Sequence, residues 1–105
     1  MLQSHVMRYE IEQTEIFQKW LESLKDRKAV LAITKRLTRL AAGNSGDRKQ
    51  LGENLFELRF FIGPGYRVYY TIKGRLIVVL LVGGDKSTQA ADIKQAKKLA
   101  QKFGD

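Results

Sequence analysis

The chain has 105 residues, a formal net charge of +8 and no cysteine. This length suits one domain over residues 1–105, and the lack of cysteine excludes disulfides, zinc–thiolate sites and thiol nucleophiles. One histidine, His5, cannot form a metal cluster by itself. No apolar run approaches the ~20 residues that span a bilayer, and the chain does not open on a signal-peptide pattern. We therefore expect a cytoplasmic protein without cofactor, metal or membrane association.

The positive charge is unevenly distributed. Lysines and arginines dominate residues 25–49, and five lysines lie from Lys86 onwards. This asymmetry favours a polyanionic partner such as a nucleic acid, although a basic surface without specific function has the same composition. The residues of the basic segment that we expect to bind RNA are Arg36, Arg39 and Arg48.

Periodicity in the first half of the chain predicts one strand and two helices. The strand covers residues 6–11. Thr14 and Asp26 are placed to cap the two helices, which should form an antiparallel hairpin. Gly43 is placed to end the second helix, and the small polar residues of 44–54 indicate a loop.

The second half predicts three strands, over residues 55–62, 66–73 and 76–82, and a last helix near Thr88. The glycines and proline of 63–65 supply the first hairpin turn. The third strand is apolar throughout, which is typical of a strand covered on both faces. The order β-α-α-β-β-β-α predicts an α+β domain, with the helices packed on one side of an antiparallel sheet.

Alternation in the first two of these strands separates polar from apolar side chains. The residues on the polar face are Glu57, Arg59, Arg67 and Tyr69. The residues on the core face are Phe56, Leu58, Phe60, Val68, Tyr70 and Ile72. A turn at Pro64 should place Arg59 roughly opposite Tyr69. Cations and a phenol on the open face are suited to bind an anion, and a nucleic acid phosphate is the expected one.

Three segments carry a family pattern. The first is the loop 46–51, Gly-Asp-Arg-Lys-Gln-Leu. The second joins Glu-Leu-Arg at 57–59 to Gly-Pro-Gly-Tyr-Arg-Val-Tyr-Tyr at 63–70, and the third runs from Leu80 to Gln89. Together, and over nearly the whole chain, these segments resemble the RelE/HigB superfamily of bacterial toxins, in its phage-derived addiction-module-killer branch.

The resemblance implies a small RelE-like toxin encoded beside an antitoxin of the helix-turn-helix type. Toxins of this superfamily typically enter the ribosomal A site and cleave mRNA there, with the 2′-hydroxyl of the RNA attacking the adjacent phosphate. The protein must then orient the RNA, move protons and stabilise charge on the phosphorane. Arginines and lysines suit that task, and neither metal nor cofactor is needed.

By the same resemblance, the catalytic residues of this chain are Arg59, Arg67, Lys49 and Lys86. The two arginines match strand arginines of the family, and a guanidinium can bind a phosphate through two hydrogen bonds. The two lysines match positions that carry basic or catalytic residues in relatives. Tyr69 would stack on an RNA base. The alternative is structural: strand arginines that are exposed or paired with Glu57, solvated lysines and a half-buried tyrosine.

The chain departs from the superfamily in one respect. Several ribosome-dependent relatives carry a histidine or tyrosine near the end of the chain for proton transfer, and this chain has neither after Tyr70. Lys86 or Lys49 would have to take that role. Two functions stay open: a ribosome-dependent mRNA endonuclease that inhibits translation, and a degenerate relative that binds RNA or the ribosome without cleaving.

Overall fold

A computed structural model describes residues 8–104, which form a five-stranded sheet between two helical layers. The helices and strands are β1 (Glu10–Gln13), α1 (Glu15–Ser23), α2 (Arg27–Ala41), β2 (Arg48–Gly52), β3 (Leu55–Arg59), β4 (Arg67–Lys73), β5 (Ile77–Gly84) and α3 (Gln89–Phe103). A single 3-10 turn, Lys86–Thr88, joins β5 to α3. The predicted α+β class is confirmed.

Both N-terminal helices begin at the caps that the sequence predicts. Thr14 Oγ1 accepts a hydrogen bond from the Phe17 amide at 3.0 Å. Asp26 Oδ1 accepts one from the Ala29 amide at 3.2 Å. Thr14 also donates to the Leu81 carbonyl at 2.7 Å, so the start of α1 is fixed to the middle of β5. Caps of this kind contribute about 1 kcal/mol each to stability.

The sheet has a hydrophobic core on each face. The buried residues between the sheet and the α1–α2 pair are Phe17, Ala29, Ile33, Leu40, Phe56, Leu58, Phe60, Tyr66, Val68, Tyr70, Val78 and Leu80. Those between the sheet and α3 are Leu55, Tyr69, Val79, Leu81, Val82 and Ala96. The prediction that all helices pack on one side is wrong, because β5 is apolar on both faces and its second face needs a cover.

The sheet order is β1-β5-β4-β3-β2, and three strands differ substantially from prediction. β3 ends at Arg59 instead of residue 62. β1 runs parallel to β5, so the sheet is mixed rather than antiparallel. It covers residues 10–13 instead of 6–11, and positions 6 and 7 lie outside the described residues. The predicted loop 44–54 contains the edge strand β2, which pairs antiparallel with β3. An exposed edge strand needs no apolar alternation, so periodicity gave no signal for it.

A bulge interrupts the pairing of β4 with β5. Tyr69 pairs with Val82 and Tyr70 pairs with Leu80, which leaves Leu81 as the extra residue. The alternation of β5 is therefore shifted by one position beyond Leu81. As a result Leu81 and Val82, although consecutive, both belong to the core under α3.

Side chains from the helices on opposite faces of the sheet pack against the two glycines that follow the bulge. A Cβ on Gly83 would overlap the indole ring of Trp20 in α1, and a Cβ on Gly84 would overlap the carboxyl group of Asp92 in α3. The absence of side chains at these positions lets both helices approach the end of β5. This close packing fixes the start of α3 beside the end of the sheet where the candidate site lies.

Candidate functional site

One end of the sheet brings together three of the four predicted catalytic residues. Arg59, the last residue of β3, pairs with Arg67, the first residue of β4. Arg67 in turn pairs with Gly84 at the end of β5, and Lys86 follows in the 3-10 turn. A Cβ placed on Gly65 would lie 3.4 Å from Nη1 of Arg67 and 3.5 Å from Cβ of Lys86. The two basic side chains therefore border the same glycine.

Lys49 reaches the same sheet face from the edge strand β2. It pairs with Glu57, which is two residues before Arg59 on β3. Directly paired residues, and residues two apart on one strand, share a face of the sheet. Lys49 and Lys86 are exposed, and the Arg59 side chain is 36% exposed. We call Arg59, Arg67, Lys49 and Lys86 the cation cluster.

The pairing inside the hairpin differs from the predicted one. Arg59 lies opposite Arg67, and it is Glu57 that lies opposite Tyr69. The pairing of residues 59 and 67 centres the turn on Gly63, which has a φ of 52°, rather than on Pro64. The shift of one position does not change the face on which each residue lies, so the predicted grouping of the two arginines holds.

A buried carboxylate lies behind Arg67. Glu57 is fully buried, and its Oε2 lies 3.6 Å from Nε of Arg67. The same oxygen accepts a hydrogen bond at 2.9 Å from Nε2 of Gln89, the first residue of α3. Arg67 Nη1 donates to the Gly65 carbonyl at 2.9 Å. These contacts hold the Arg67 guanidinium in one orientation and connect it to the start of α3.

Arg59 is held more loosely than Arg67. Its Nη2 lies 3.8 Å from Oδ1 of Asp47, and its guanidinium carbon lies 5.8 Å from the centre of the Phe61 ring. An exposed ion pair of this kind contributes about 1 kcal/mol at most. Arg59 can therefore exchange Asp47 for a phosphate at low cost.

The structure does not place Tyr69 where a base could reach it. The residue is fully buried in the core under α3, so the prediction that it stacks on RNA is wrong. Burial, and then the neighbouring charge of Glu57, raise the pKa of Tyr69 well above its usual value. The phenol therefore stays protonated and enclosed.

Asp85 precedes Lys86 and is held in its ionised form. Its Oδ1 accepts hydrogen bonds from the Ser87 hydroxyl at 2.6 Å and the Ser87 amide at 2.8 Å. The Ser87 hydrogen bond is the main cause that holds the pKa of Asp85 below its usual value. Asp85 thus caps the 3-10 turn that presents Lys86 and is poorly suited to donate a proton.

Arg36 is predicted to bind RNA, but its guanidinium donates hydrogen bonds to carbonyls of the protein itself. Its Nη1 donates to the Arg59 carbonyl at 3.0 Å. Its Nη2 donates to the carbonyls of Asp47 at 2.9 Å and Ser45 at 3.2 Å. The guanidinium also lies 4.8 Å from the centre of the Phe60 ring, and burial lowers its pKa. These contacts join α2, the loop before β2 and the end of β3, and they fit a structural role.

The other two predicted RNA-binding arginines lie outside the cation cluster. Arg48 pairs with Leu58, so it faces the α1–α2 side, where its guanidinium lies 4.5 Å from the centre of the Phe56 ring. Arg39 is exposed in the last turn of α2. The structure therefore divides the predicted basic residues between two surfaces of the molecule.

Two neighbours of the cation cluster were not predicted. Gln89 contacts Glu57, which is 32 positions away in the sequence, so only the tertiary structure brings the two residues together. Phe61 is 80% exposed beside Arg59. The sequence did hold a signal for Phe61, since it is two positions beyond Arg59 and continues the spacing of the polar face.

Within residues 8–104, no three side chains of His, Cys, Asp or Glu lie together as possible metal ligands. The described helices include none that is both long and apolar enough to cross a membrane.

The mixed sheet, with two helices on one face and a third on the other, is the fold of the toxin RelE. A mutant of E. coli toxin RelE in the free state matches with a TM-score of 0.72 and 17% identity, over 89% of this chain and 98% of that chain. The intact E. coli RelBE toxin–antitoxin complex contains a chain that matches with a TM-score of 0.61 and 20% identity, over 73% of this chain and 95% of that one. The predicted RelE-like fold is confirmed.

Sequence comparison assigns the family. Residues 19–103 match the family described as Phage derived protein Gp49-like (DUF891). An uncharacterized protein of Haemophilus influenzae (strain Rd) is 49% identical over 98 residues, which cover 93% of this chain and 99% of that protein. The chain belongs to the Gp49-like family of phage-derived proteins, which agrees with the phage-derived branch that its sequence resembles.

Proposed function

We propose that this protein is the toxin of a type II toxin–antitoxin module and acts as a ribosome-dependent, metal-independent mRNA endonuclease that inhibits translation. The observation that carries the proposal is the cation cluster at one end of a RelE-like sheet. The substrate is mRNA in the ribosomal A site, which places the activity in the cytoplasm.

The two arginines would stabilise the transition state. Attack of the 2′-hydroxyl on the adjacent phosphate builds negative charge on the phosphorane oxygens, and one well-placed donor for such charge contributes about 10²–10³ in rate. Arg67 is oriented in advance by Glu57 and by the Gly65 carbonyl, so it needs no reorganisation during the reaction. Arg59 would leave Asp47 and bind the phosphate through two donors.

The two lysines would transfer the protons. One of Lys49 and Lys86, as the neutral amine, takes the proton of the attacking 2′-hydroxyl, and the other, as the ammonium, supplies a proton to the leaving 5′-oxygen. Both are exposed; Lys49 lies on the same sheet face as the arginines, and Lys86 borders the same glycine, Gly65, as Arg67. The products of this step are a 2′,3′-cyclic phosphate and a free 5′-hydroxyl, as expected when the RNA supplies its own nucleophile.

The proposed partner is an antitoxin of the helix-turn-helix type encoded beside this chain. The solved complex of the structural neighbour is named as a toxin–antitoxin complex of RelE with RelB. By analogy, we propose that an antitoxin neutralises this protein.

The test is a translation reaction with purified ribosomes and a defined mRNA, followed by primer extension. We expect new 5′ ends inside translated codons, only when ribosomes and protein are both present. Arg59→Ala should remove them, whereas Lys73→Ala, which removes an exposed positive charge at the opposite end of β4 from Arg67, should not. A folded wild-type protein that yields no new ends would contradict the proposal.

A second function is favoured by one observation. Residues 8–104 contain no histidine, and Tyr69 is buried, so neither an imidazole nor the phenol of Tyr69 is exposed at the described site to transfer a proton. A degenerate relative would bind RNA or the ribosome without cleaving. It would show salt-dependent RNA binding and no new 5′ ends in the same reaction.

A further inference from the structure

Phe61 is an apolar side chain in an unusual place. It is 80% exposed, the highest exposure among the large hydrophobic residues of the described structure, and it lies in the connection between β3 and β4. The guanidinium carbon of Arg59 lies 5.8 Å from the centre of its ring. An exposed aromatic ring beside a cation is suited to a ligand that carries both a flat surface and a negative charge.

The connection that carries Phe61 is tied at both ends. The Phe60 amide donates to the Tyr66 carbonyl at 2.9 Å, and the Gly65 amide donates to the Ile62 carbonyl at 3.0 Å. Phe60 and Tyr66 are both buried in the core under α1 and α2. The ring of Phe61 is thus presented by a hydrogen-bonded hairpin rather than by a loose loop.

The other aromatic residues near the cation cluster are not accessible in this way. Tyr66 is 9% exposed, and Tyr69 and Tyr70 are fully buried. The Trp20 ring packs over Gly83 and against the core. Trp20 is partly buried, so Phe61 is the most exposed of the aromatic residues near the cluster in the described structure.

We propose that Phe61 is a stacking platform for a base of single-stranded RNA, next to the phosphate that Arg59 binds. The inference rests on the proposed function and adds a base-binding subsite to it. A nucleotide carries its phosphate and base on one sugar, so adjacent Arg59 and Phe61 can hold both. Because every base has a flat π-face, such a platform adds affinity rather than sequence preference.

The test uses four variants of the full chain. Phe61→Ala removes the ring, Phe61→Leu keeps an apolar side chain without the ring, and Phe61→Trp enlarges the ring. Leu76→Ala is the matched control, since Leu76 is 60% exposed in the separate turn between β4 and β5. Circular dichroism tests whether each variant is folded. We expect all four variants to fold, because Phe61 and Leu76 are both exposed.

Two readouts are compared: the dissociation constant for a short fluorescent single-stranded RNA, and the protein concentration that gives half-maximal cleavage on ribosomes. We expect Phe61→Ala and Phe61→Leu to raise both values about tenfold or more, and Phe61→Trp and Leu76→Ala to keep them within about threefold. If Phe61→Leu binds RNA like the wild type, stacking is overturned. If Phe61→Ala leaves both values unchanged and weakens only the binding of the antitoxin, measured separately, stacking is overturned and Phe61 is part of a protein interface.

The two proposals fail in different ways. A wild-type protein that cleaves, with Phe61→Ala cleaving equally well at every concentration, overturns this inference and leaves the proposed function intact. A wild-type protein that binds RNA without cleaving overturns the endonuclease, while the ranking of the Phe61 variants in RNA binding still decides the stacking role. A wild-type protein that neither binds nor cleaves overturns both.

Discussion

Removing the Arg67 side chain altogether cannot separate its proposed catalytic role from its structural one. Its side chain is 12% exposed and forms an ion pair with Glu57, whose side chain is 1% exposed. Arg67→Ala would leave a buried carboxylate without its counter-charge, which typically costs about 3–5 kcal/mol. Loss of toxicity in that variant would therefore not distinguish a catalytic role from unfolding.

Arg67→Lys separates the two roles. Lysine keeps the positive charge beside Glu57 but lacks the planar, two-pronged donor that binds a phosphate. We expect the free energy of unfolding in urea to fall by no more than about 2 kcal/mol, and the cleavage rate to fall about 10²-fold. A variant that is equally stable and fully active would remove Arg67 from the catalytic residues.

Tyr69 should make the stability of the protein depend on alkaline pH. Burial raises its pKa, so in the folded state the phenol keeps its proton at pH values where the unfolded chain loses it. The stabilisation is fully present below the unfolded pKa of about 10 and is lost as the pH rises through the folded pKa. Urea unfolding from pH 8 to 11 should therefore show a fall above pH 10 that is smaller in Tyr69→Phe. An identical fall in both proteins would contradict this account.

The sequence was sufficient to predict on which sheet face single residues lie, but not how deeply they are buried. Strand alternation correctly grouped Arg59 with Arg67, because a one-position shift of the turn leaves their common face unchanged. It could not predict the burial of Tyr69, since α3 covers that residue from a distant part of the chain.

At the scale of the elements, Arg36 joins three of them. Its contacts with the Ser45, Asp47 and Arg59 carbonyls connect α2 to the loop before β2 and to the end of β3. We expect Arg36→Ala to lower the free energy of unfolding by about 1.5–3 kcal/mol, because three carbonyls, those of Ser45 and Arg59 in part-buried hydrogen bonds, lose a charged donor. Arg39→Ala, three residues along the same helix and exposed, should change it by no more than about 0.5 kcal/mol. Equal effects of the two substitutions in urea unfolding would contradict the structural role of Arg36.

The end of β5 depends on close contact between a helix and the strand backbone. Gly83→Ala would place a methyl group within the Trp20 ring, so α1 or the strand must shift. We expect a loss of about 1–3 kcal/mol in the free energy of unfolding and a changed near-ultraviolet circular dichroism signal from Trp20. Gly52→Ala is the control, because no atom lies within 4 Å of a Cβ at that position. An unchanged near-ultraviolet signal in Gly83→Ala would show that the contact is absent.

Local chemistry explains which elements the sequence predicted well. Helix caps depend on residues three apart, so Thr14 and Asp26 were assigned correctly. The parallel pairing of β1 with β5 joins residues 10–13 to 77–80. No local pattern contains that information, and the mixed sheet could not be predicted from periodicity alone.

At the scale of the whole molecule, the net charge of +8 predicts binding that is sensitive to salt. Each phosphate contact to a single strand contributes a slope of about −0.7 in a plot of log affinity against log salt. We expect Arg59→Ala to make this slope about 0.7 units shallower. Arg36→Ala should leave the slope of the folded protein unchanged, because the Arg36 guanidinium already contacts protein carbonyls. The slopes of the variants and the wild type are measured by fluorescence titration with single-stranded RNA, at salt concentrations from about 50 to about 300 mM. Equal slopes for Arg59→Ala and the wild type would place the phosphate elsewhere.

The most direct test of the catalytic account is the single-turnover cleavage rate of mRNA in ribosome complexes assembled in advance, with the protein at saturating concentration. Saturation removes differences in binding, so the rate reports stabilisation of the transition state alone. We expect cleavage by the wild type, a rate about 10²–10³ lower for Arg59→Ala and an unchanged rate for Arg39→Ala. A wild-type rate of zero, or equal rates for the wild type and Arg59→Ala, would contradict it.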